Sequence, residues 1–245
     1  MVKKQIKTES TKLVIAISSR ALFNLDYSHQ IFKNEGIKAY AKHQQENEQV
    51  VLEPGVGFTL VKKLLKLNSK TTPIDVILLS RNSADTGLRI FNSIEHYGLN
   101  ISRAAFTRGE STHPFVGAFE ADLFLSSNYN DVQKALKSGY AAASIIESKS
   151  NHSHPSQLRI AFDGDAVIFS DESEKIFQEK GLEAFHENEV LSEKIKLKAG
   201  PFKSFLVSLQ KIQSTFPEEN NPIRTALRTG TELLNLGLML SKPIG

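Results

Sequence analysis

Short apolar runs alternate with amphipathic stretches between residues 14 and 146. Runs such as VIAIS (14–18) and DVILL (75–79) are typical of strands buried in a parallel sheet. The pattern predicts further strands near 103–106, 122–126 and 140–146, and helices at 84–97 and 131–138. This order of strands and helices predicts a parallel α/β sheet with right-handed crossovers.

The chain repeats part of this pattern at a shift of 145 positions. Without a gap, Ile15 meets Ile160, Gly36 meets Gly181 and Gly55 meets Gly200; after a four-residue insertion, Ser80 meets Thr229. Chance similarity would not keep one register for so long. The second copy accordingly predicts strands at 159–162 and 224–227, and a helix at 201–214 whose apolar residues share one face.

The repeat predicts two tandem Rossmann-like parallel-sheet units, residues 1–146 and 158–245, of which the second is incomplete. The polar segment 147–157 is the predicted linker. The segments 28–49 and 173–194 are predicted to form a small helical cap insertion in each unit. The leucine-rich tail, 231–245, could pack as a short helix.

An acidic motif follows the first strand of the second copy, within FDGDAVIFSDESE (162–174). Asp163 and Asp165 flank Gly164, where ligands bind in open α/β sheets, just beyond the carboxyl end of a strand. One carboxylate there could attack phosphorus, and the other could transfer protons. Carboxylate oxygens also suit Mg²⁺.

The tripeptide alone also fits an acidic turn that is simply solvated. Its position after a buried strand, with the apolar run AVIF behind it, favours a site. The acidic spacing and terminal Glu of an EF-hand calcium loop are missing.

Several strings resemble cytosolic 5'-nucleotidases of the type I group, which are haloacid-dehalogenase-like phosphatases. The resemblance covers roughly 12–227 and is carried by VILLSRNSADTGLRIFNSIEHYGL (76–99), FDGDAVIFSDESE (162–174) and GPFKSFL (200–206). It implies that Asp163 is the nucleophile, that Asp165 is the general acid and base, and that both line a Mg²⁺ site. The implied substrate is an AMP-like nucleoside 5'-monophosphate, and both units would have the haloacid-dehalogenase-like fold.

Two further residues are predicted to contact the substrate phosphate. The resemblance places Thr229, within IRTALRTG, at the family's hydroxyl position, although a strand-end or helix-cap threonine would look the same. Lys203 lies at the predicted start of the 201–214 helix, where an ammonium beside a helix N-terminus can hold phosphate. The alternative for Lys203 is an ordinary solvated lysine.

The resemblance ends after Arg228. Family members continue to a lysine and an acidic pair that this chain lacks, so we expect a truncated or frame-shifted end. The alternative function is therefore a non-catalytic nucleotide-binding or inactive product.

The first copy has Ser18 and Arg20 where the second has Asp163 and Asp165, which predicts a degenerate pseudo-domain. Its Arg20, Arg81 and His113 could face a nucleotide or be ordinary surface and packing residues.

Composition narrows these expectations further. The chain of 245 residues has no cysteine, which excludes disulfides and thiolate metal sites. Its net charge of +3 comes from scattered residues, so nucleic-acid binding has no support. No run reaches the roughly 18–20 apolar residues of a membrane span, and no secretory signal is apparent. We therefore predict a cytoplasmic protein without a membrane partner; oligomeric state and base or sugar preference stay open.

Overall fold

The chain divides into two compact units, residues 1–156 and 157–245, in a computed structural model. Each unit is described by itself. The structure describes residues 12–68, 73–146, 157–163, 201–229 and 232–235. The predicted cap segment 173–194 and all of the predicted linker except Gln157 lie outside these residues.

The first unit contains a five-stranded parallel sheet with the order β3-β2-β1-β4-β5. Its strands are β1 (Leu13–Ser18), β2 (Ile74–Ser80), β3 (Arg103–Phe106), β4 (Leu123–Ser126) and β5 (Ala142–Ser144). The central strand β1 is apolar from Leu13 to Ile17 because both of its faces are buried. The predicted parallel α/β sheet is therefore confirmed.

Helices connect these strands and cover the sheet. They are α1 (Ser19–Leu22), α2 (Asp26–Glu46), α3 (Phe58–Lys66), α4 (Leu88–His96), α5 (His113–Ala118) and α6 (Tyr129–Lys137). A 3-10 turn at Asp85–Gly87 precedes α4. On one face of the sheet, Val14, Ala16 and Phe124 pack with Val116 of α5 and Val132 of α6.

The structure of the first unit explains why two positions of the repeat are glycine. Gly36 kinks α2 with φ of 84°, a left-handed conformation that side chains rarely adopt. A Cβ added to Gly55 would lie 2.8 Å from the backbone oxygen of Ala21. Glycine at these two positions is therefore explained by the shape of the backbone and not by the chemistry of a site.

The second unit contains a three-stranded sheet with the order β6-β7-β8. Its elements are β6 (Leu158–Asp163), α7 (Lys203–Gln213), a 3-10 turn at Glu218–Asn220, β7 (Ile223–Thr229) and β8 (Glu232–Asn235). Strands β6 and β7 are parallel, whereas β8 runs antiparallel to β7.

Strand β8 corrects three expectations about the second unit. Its sheet is mixed rather than wholly parallel, and residues 232–235 of the leucine-rich tail form a strand rather than part of a helix. The strand that carries Asp163 is predicted from the repeat to lie centrally, with neighbours on both sides, but within the described sheet β6 is an edge strand. Pairing with β8 satisfies backbone groups of β7 that would otherwise form an open edge.

Helix α7 packs on the second sheet and runs opposite to its parallel strands. Near its start, the ring of Phe205 lies 6.0 Å from that of Phe162, which is close to the end of β6. At its other end, Gln213 Nε2 donates to the oxygen of Ile223, the first residue of β7, at 3.1 Å. The N-terminus of α7 therefore lies towards the carboxyl edge of the sheet.

None of the helices that the structure describes combines the length and the hydrophobicity of a bilayer crossing.

Candidate functional site

Two of the predicted site residues end neighbouring strands of the second unit. Asp163 is the last residue of β6 and pairs in register with Arg228, and Thr229 is the last residue of β7. Because β6 and β7 are parallel, both residues lie at the carboxyl edge of the sheet. Their side chains, and Asp165 as a whole, lie outside the described residues, so their roles stay predictions.

Lys203 is the first residue of α7, and its side chain is exposed. Since α7 starts at the carboxyl edge, Lys203 lies at the same end of the second unit as the ends of β6 and β7. The first turn of a helix offers unpaired backbone N–H groups that favour anions. This placement agrees with a phosphate-binding role for Lys203 but does not test it.

In the first unit, serines end the counterparts of β6 and β7 and also end β4. Ser18 ends β1, Ser80 ends β2 and Ser126 ends β4. The hydroxyls of Ser80 and Ser19 are hydrogen-bonded at 3.0 Å, and Ser18 Oγ accepts from the backbone N–H of Ser127 at 3.4 Å. The strand that corresponds to β6 therefore ends in a hydroxyl group and not in a carboxylate.

A buried carboxylate of the first unit, Asp131, forms an ion pair with Arg81. Arg81 donates from Nε to Oδ2 at 3.0 Å and from Nη2 to Oδ1 at 2.7 Å. Asp131 is buried and also accepts from the hydroxyls of Ser111 and Thr112. Burial acts to raise the pKa of Asp131, but these hydrogen bonds and the charge of Arg81 outweigh it, so the pKa is lowered.

The three basic residues that the sequence singled out in the first unit have different surroundings. Arg20 and Arg81 line a cavity at the carboxyl edge of the sheet, whereas His113 is not among the lining residues. Arg20 forms an exposed ion pair with Asp26 at 2.9 Å. Nδ1 of His113 is hydrogen-bonded to Ser111 Oγ at 2.9 Å. Arg20 and Arg81 therefore share a cavity that could admit a ligand.

The family model of the 5'-nucleotidases matches residues 5–233 and so spans nearly the whole chain, including both strand edges. The chain belongs to the 5'-nucleotidase family. The predicted membership of this family is therefore confirmed.

A curated relative of this 5'-nucleotidase family chain is cytosolic 5'-nucleotidase 1B of Homo sapiens. The two are 36% identical over 245 residues, which cover 95% of this chain and 40% of the relative. The chain thus spans less than half the length of that relative. No solved structure matches the chain.

The donor chemistry of the acidic motif fits a magnesium ion. Asp163 brings a carboxylate to a strand end, and Asp165 is two residues later in the sequence. Mg²⁺ usually takes one or two carboxylates and completes its shell with waters and substrate phosphate. Among the residues that the structure describes, no group of three or more His, Cys, Asp or Glu residues could hold a metal.

Sequence reasoning missed the residues that build the cavity of the first unit around Arg20 and Arg81. Asp131, Asn128, Asn82 and Tyr40 all line it. Asn128 Oδ1 accepts from the backbone N–H of Asp131 at 3.2 Å and so caps α6. The sequence SSNYND (126–131) carries this cap signal directly after an apolar strand, and it could have indicated a strand–turn–helix edge.

Proposed function

We propose that this chain hydrolyses nucleoside 5'-monophosphates to a nucleoside and inorganic phosphate, with Asp163 as the nucleophile. The observation that carries the proposal is the position of Asp163 at the end of β6, beside the strand that ends at Thr229, in a chain of the 5'-nucleotidase family. The relative's name, cytosolic 5'-nucleotidase 1B, agrees with this activity. It also supports a cytoplasmic location as part of the proposal, whereas the AMP-like substrate rests on the sequence resemblance alone.

In the first step, a carboxylate oxygen of Asp163 forms a bond to phosphorus while the bond from phosphorus to the ribose 5'-oxygen breaks. Asp165, protonated at this point, gives its proton to that oxygen. The nucleoside leaves, and Asp163 carries the phosphoryl group.

In the second step, water attacks the phosphorus of the aspartyl-phosphate, and Asp165 accepts a proton from the water. The bond between phosphorus and Asp163 breaks, inorganic phosphate leaves, and both aspartates regain their starting states. One residue thus serves first as acid and then as base.

Asp163 would hold Mg²⁺ through its carboxylate, and Asp165 would line the same metal site; the ion would supply positive charge against the phosphoryl oxygens. The hydroxyl of Thr229 would donate to one of these oxygens. Lys203 at the start of α7 would add a charge-assisted contact. With these roles, four side chains of the second unit would surround one phosphate.

The test is phosphate release from AMP in the presence of Mg²⁺, measured for the chain and for Asp163→Asn. Asparagine has nearly the same shape as aspartate but lacks the negative charge and the nucleophilicity of the carboxylate. We expect the rate to fall by about a thousandfold or more, as when other covalent nucleophiles are removed.

The matched control is Glu219→Gln, which makes the same change of carboxylate to amide at an exposed position of the second unit. It should leave the rate unchanged. Turnover that survives Asp163→Asn would remove Asp163 from its role. Binding of AMP without turnover in the unaltered chain would instead favour the alternative of a non-catalytic nucleotide-binding protein.

A further inference from the structure

The cavity of the first unit lies where ligands bind in doubly wound sheets. In the order β3-β2-β1-β4-β5, the chain passes from β1 to β2 on one side and later returns to β4 on the other. The segments that follow β1 and β4 therefore diverge and leave a crevice at the carboxyl edge. The cavity has a volume of about 350 Å³, within the range of small-molecule sites.

One end of the cavity is polar and carries an excess of positive charge. Arg20, Arg81 and Arg108 line it together with a single carboxylate, Asp131, which is paired with Arg81. Arg20 forms its exposed ion pair with Asp26, which does not line the cavity, so one positive charge remains in excess. The backbone N–H of Arg108 donates to the oxygen of Asn82 at 3.1 Å, which fixes this arginine beside the end of β2. Such an end favours an anion.

Polar residues at the ends of the strands border the same end of the cavity. Ser18 and Ser127 lie at the ends of β1 and β4, and Asn128 caps the N-terminus of α6. Burial and the charges of Arg20 and Lys33 lower the pKa of His29, so this cavity residue adds no charge near neutral pH. The anion preference therefore rests on the arginines.

The wall opposite the strand ends is apolar and comes mainly from both halves of the kinked helix α2. It includes Leu25, Phe32, Ile37, Tyr40 and Ala41. Phe32 and Ile37 remain 44% and 64% exposed, although both are large apolar side chains. A ligand with a planar, apolar body would cover them.

Asn82 provides a donor without a partner at the same place. Its Oδ1 accepts from the Tyr40 hydroxyl at 2.8 Å, and that hydroxyl accepts from Gln44 Nε2 at 2.9 Å. This chain of hydrogen bonds fixes the amide, and its Nδ2 is buried with no hydrogen-bond partner among the described residues. Buried donors of this kind call for an acceptor, which a bound ligand can supply.

We propose that this cavity of the first unit binds a small phosphate monoester with a planar body. The phosphate lies at the end formed by Arg20, Arg108 and Ser127, and the body lies against α2. The binding site uses neither Asp163 nor Asp165. The first unit is then a ligand-binding domain in its own right, although its strand ends carry no catalytic carboxylates.

The test uses the full chain without added Mg²⁺, so that AMP, the probe, is not turned over; amide hydrogen exchange locates binding and calorimetry measures affinity. We expect AMP to protect residues 18–41 and 126–131 from exchange. Ser127→Glu places a carboxylate at the polar end and should weaken this binding by about tenfold or more. Arg108→Gln, which removes one positive charge, should weaken it in the same direction.

The matched control is Ser102→Glu, the same substitution at an exposed serine just before β3, on the opposite edge of the same sheet. It should leave the protection unchanged. Asp163→Asn should also keep this protection while losing turnover, which separates this proposal from the proposed catalytic site. The proposal is overturned if AMP does not protect these segments, if Ser127→Glu leaves the protection intact, or if adenosine binds as well as AMP.

Discussion

In the first unit, a serine is the last residue of strands β1, β2 and β4. In the second unit, the last residue of β6 is Asp163 and the last residue of β7 is Thr229. In both units, nevertheless, a parallel pair of strands brings these last residues to the carboxyl edge of the sheet. The core thus determines where the edge lies, and a few residues beyond the core determine its chemistry.

The acidic residues of the two edges also lie at different places in the two units. In the first unit, Asp131 is buried and forms two hydrogen bonds with Arg81, so its charge is already satisfied within the unit. In the second unit, Asp163 ends β6 and Asp165 comes two residues later in the sequence. A carboxylate that is fully paired with an arginine is a poor nucleophile and a poor metal ligand, which argues against a catalytic role for Asp131.

The largest effect should come from making the second edge resemble the first. Asp163→Ser gives β6 the residue that ends β1. Phosphate release from AMP should fall by about a thousandfold or more, because an unactivated hydroxyl is a weak nucleophile. A steady-state assay with Mg²⁺ measures this, and a loss of less than tenfold would show that the two edges do not differ in the proposed way.

The next effect tests the packing that positions the second edge. Phe205→Ala removes the ring that contacts Phe162, and it should lower the free energy of unfolding of the second unit by about 3 kcal/mol. Hydrogen exchange across 157–163 and 201–229 measures it.

Val207→Ala on the same helix is the control, because Val207 is 40% exposed and should cost less than about 1 kcal/mol. Equal losses for the two variants would mean that α7 does not pack through Phe205.

A smaller effect should follow when the charge pair of the first edge is broken. Asp131→Asn leaves Arg81 without its carboxylate and should lower the free energy of unfolding of the first unit by about 2 kcal/mol. Denaturant unfolding followed by hydrogen exchange in 73–146 measures it.

Asp26→Asn, which breaks the exposed pair with Arg20, should cost less than about 1 kcal/mol. Comparable losses for both pairs would show that burial of Asp131 does not matter.

The smallest effect is a pH dependence of the first unit. Because the pKa of Asp131 is lower in the folded than in the unfolded state, its contribution is present above the unfolded value of about 3.9. It is lost as the pH falls through the lowered pKa, since the unfolded chain then binds the proton first. Between pH 5 and about 2, the free energy of unfolding should therefore fall more steeply with decreasing pH for the unaltered chain than for Asp131→Asn. Equal slopes of this free energy against pH would contradict the prediction.

The sequence predicted the frame of the first unit closely, because its strands are buried on both faces and read as continuous apolar runs. The predicted 103–106 and the observed β3 coincide, and the predicted helix at 84–97 contains the 3-10 turn and α4. Helix α5 was not predicted, since its six residues are too few for a periodic signal.

The pairing of distant elements was much harder to predict. Arg81 and Asp131 are 50 residues apart, and no local pattern links them. In the same way, the residues of β8 show no alternation that separates a strand from a short helix; their pairing with β7 decides the outcome. For the catalytic site, sequence and family resemblance supplied Asp163, Asp165, Thr229 and Lys203, and the structure adds the backbone positions of three of them.

The central position of β1 has a consequence for how the protein is made. The backbone N–H of Val14 donates to the carboxylate of Asp122, 108 residues later, and β4 pairs with β1 directly after that point. During synthesis at about 5–20 residues per second, one side of this apolar strand must wait several seconds for its neighbour. The newly made chain is therefore exposed to aggregation during that interval, and a chaperone that binds short apolar segments should improve its yield.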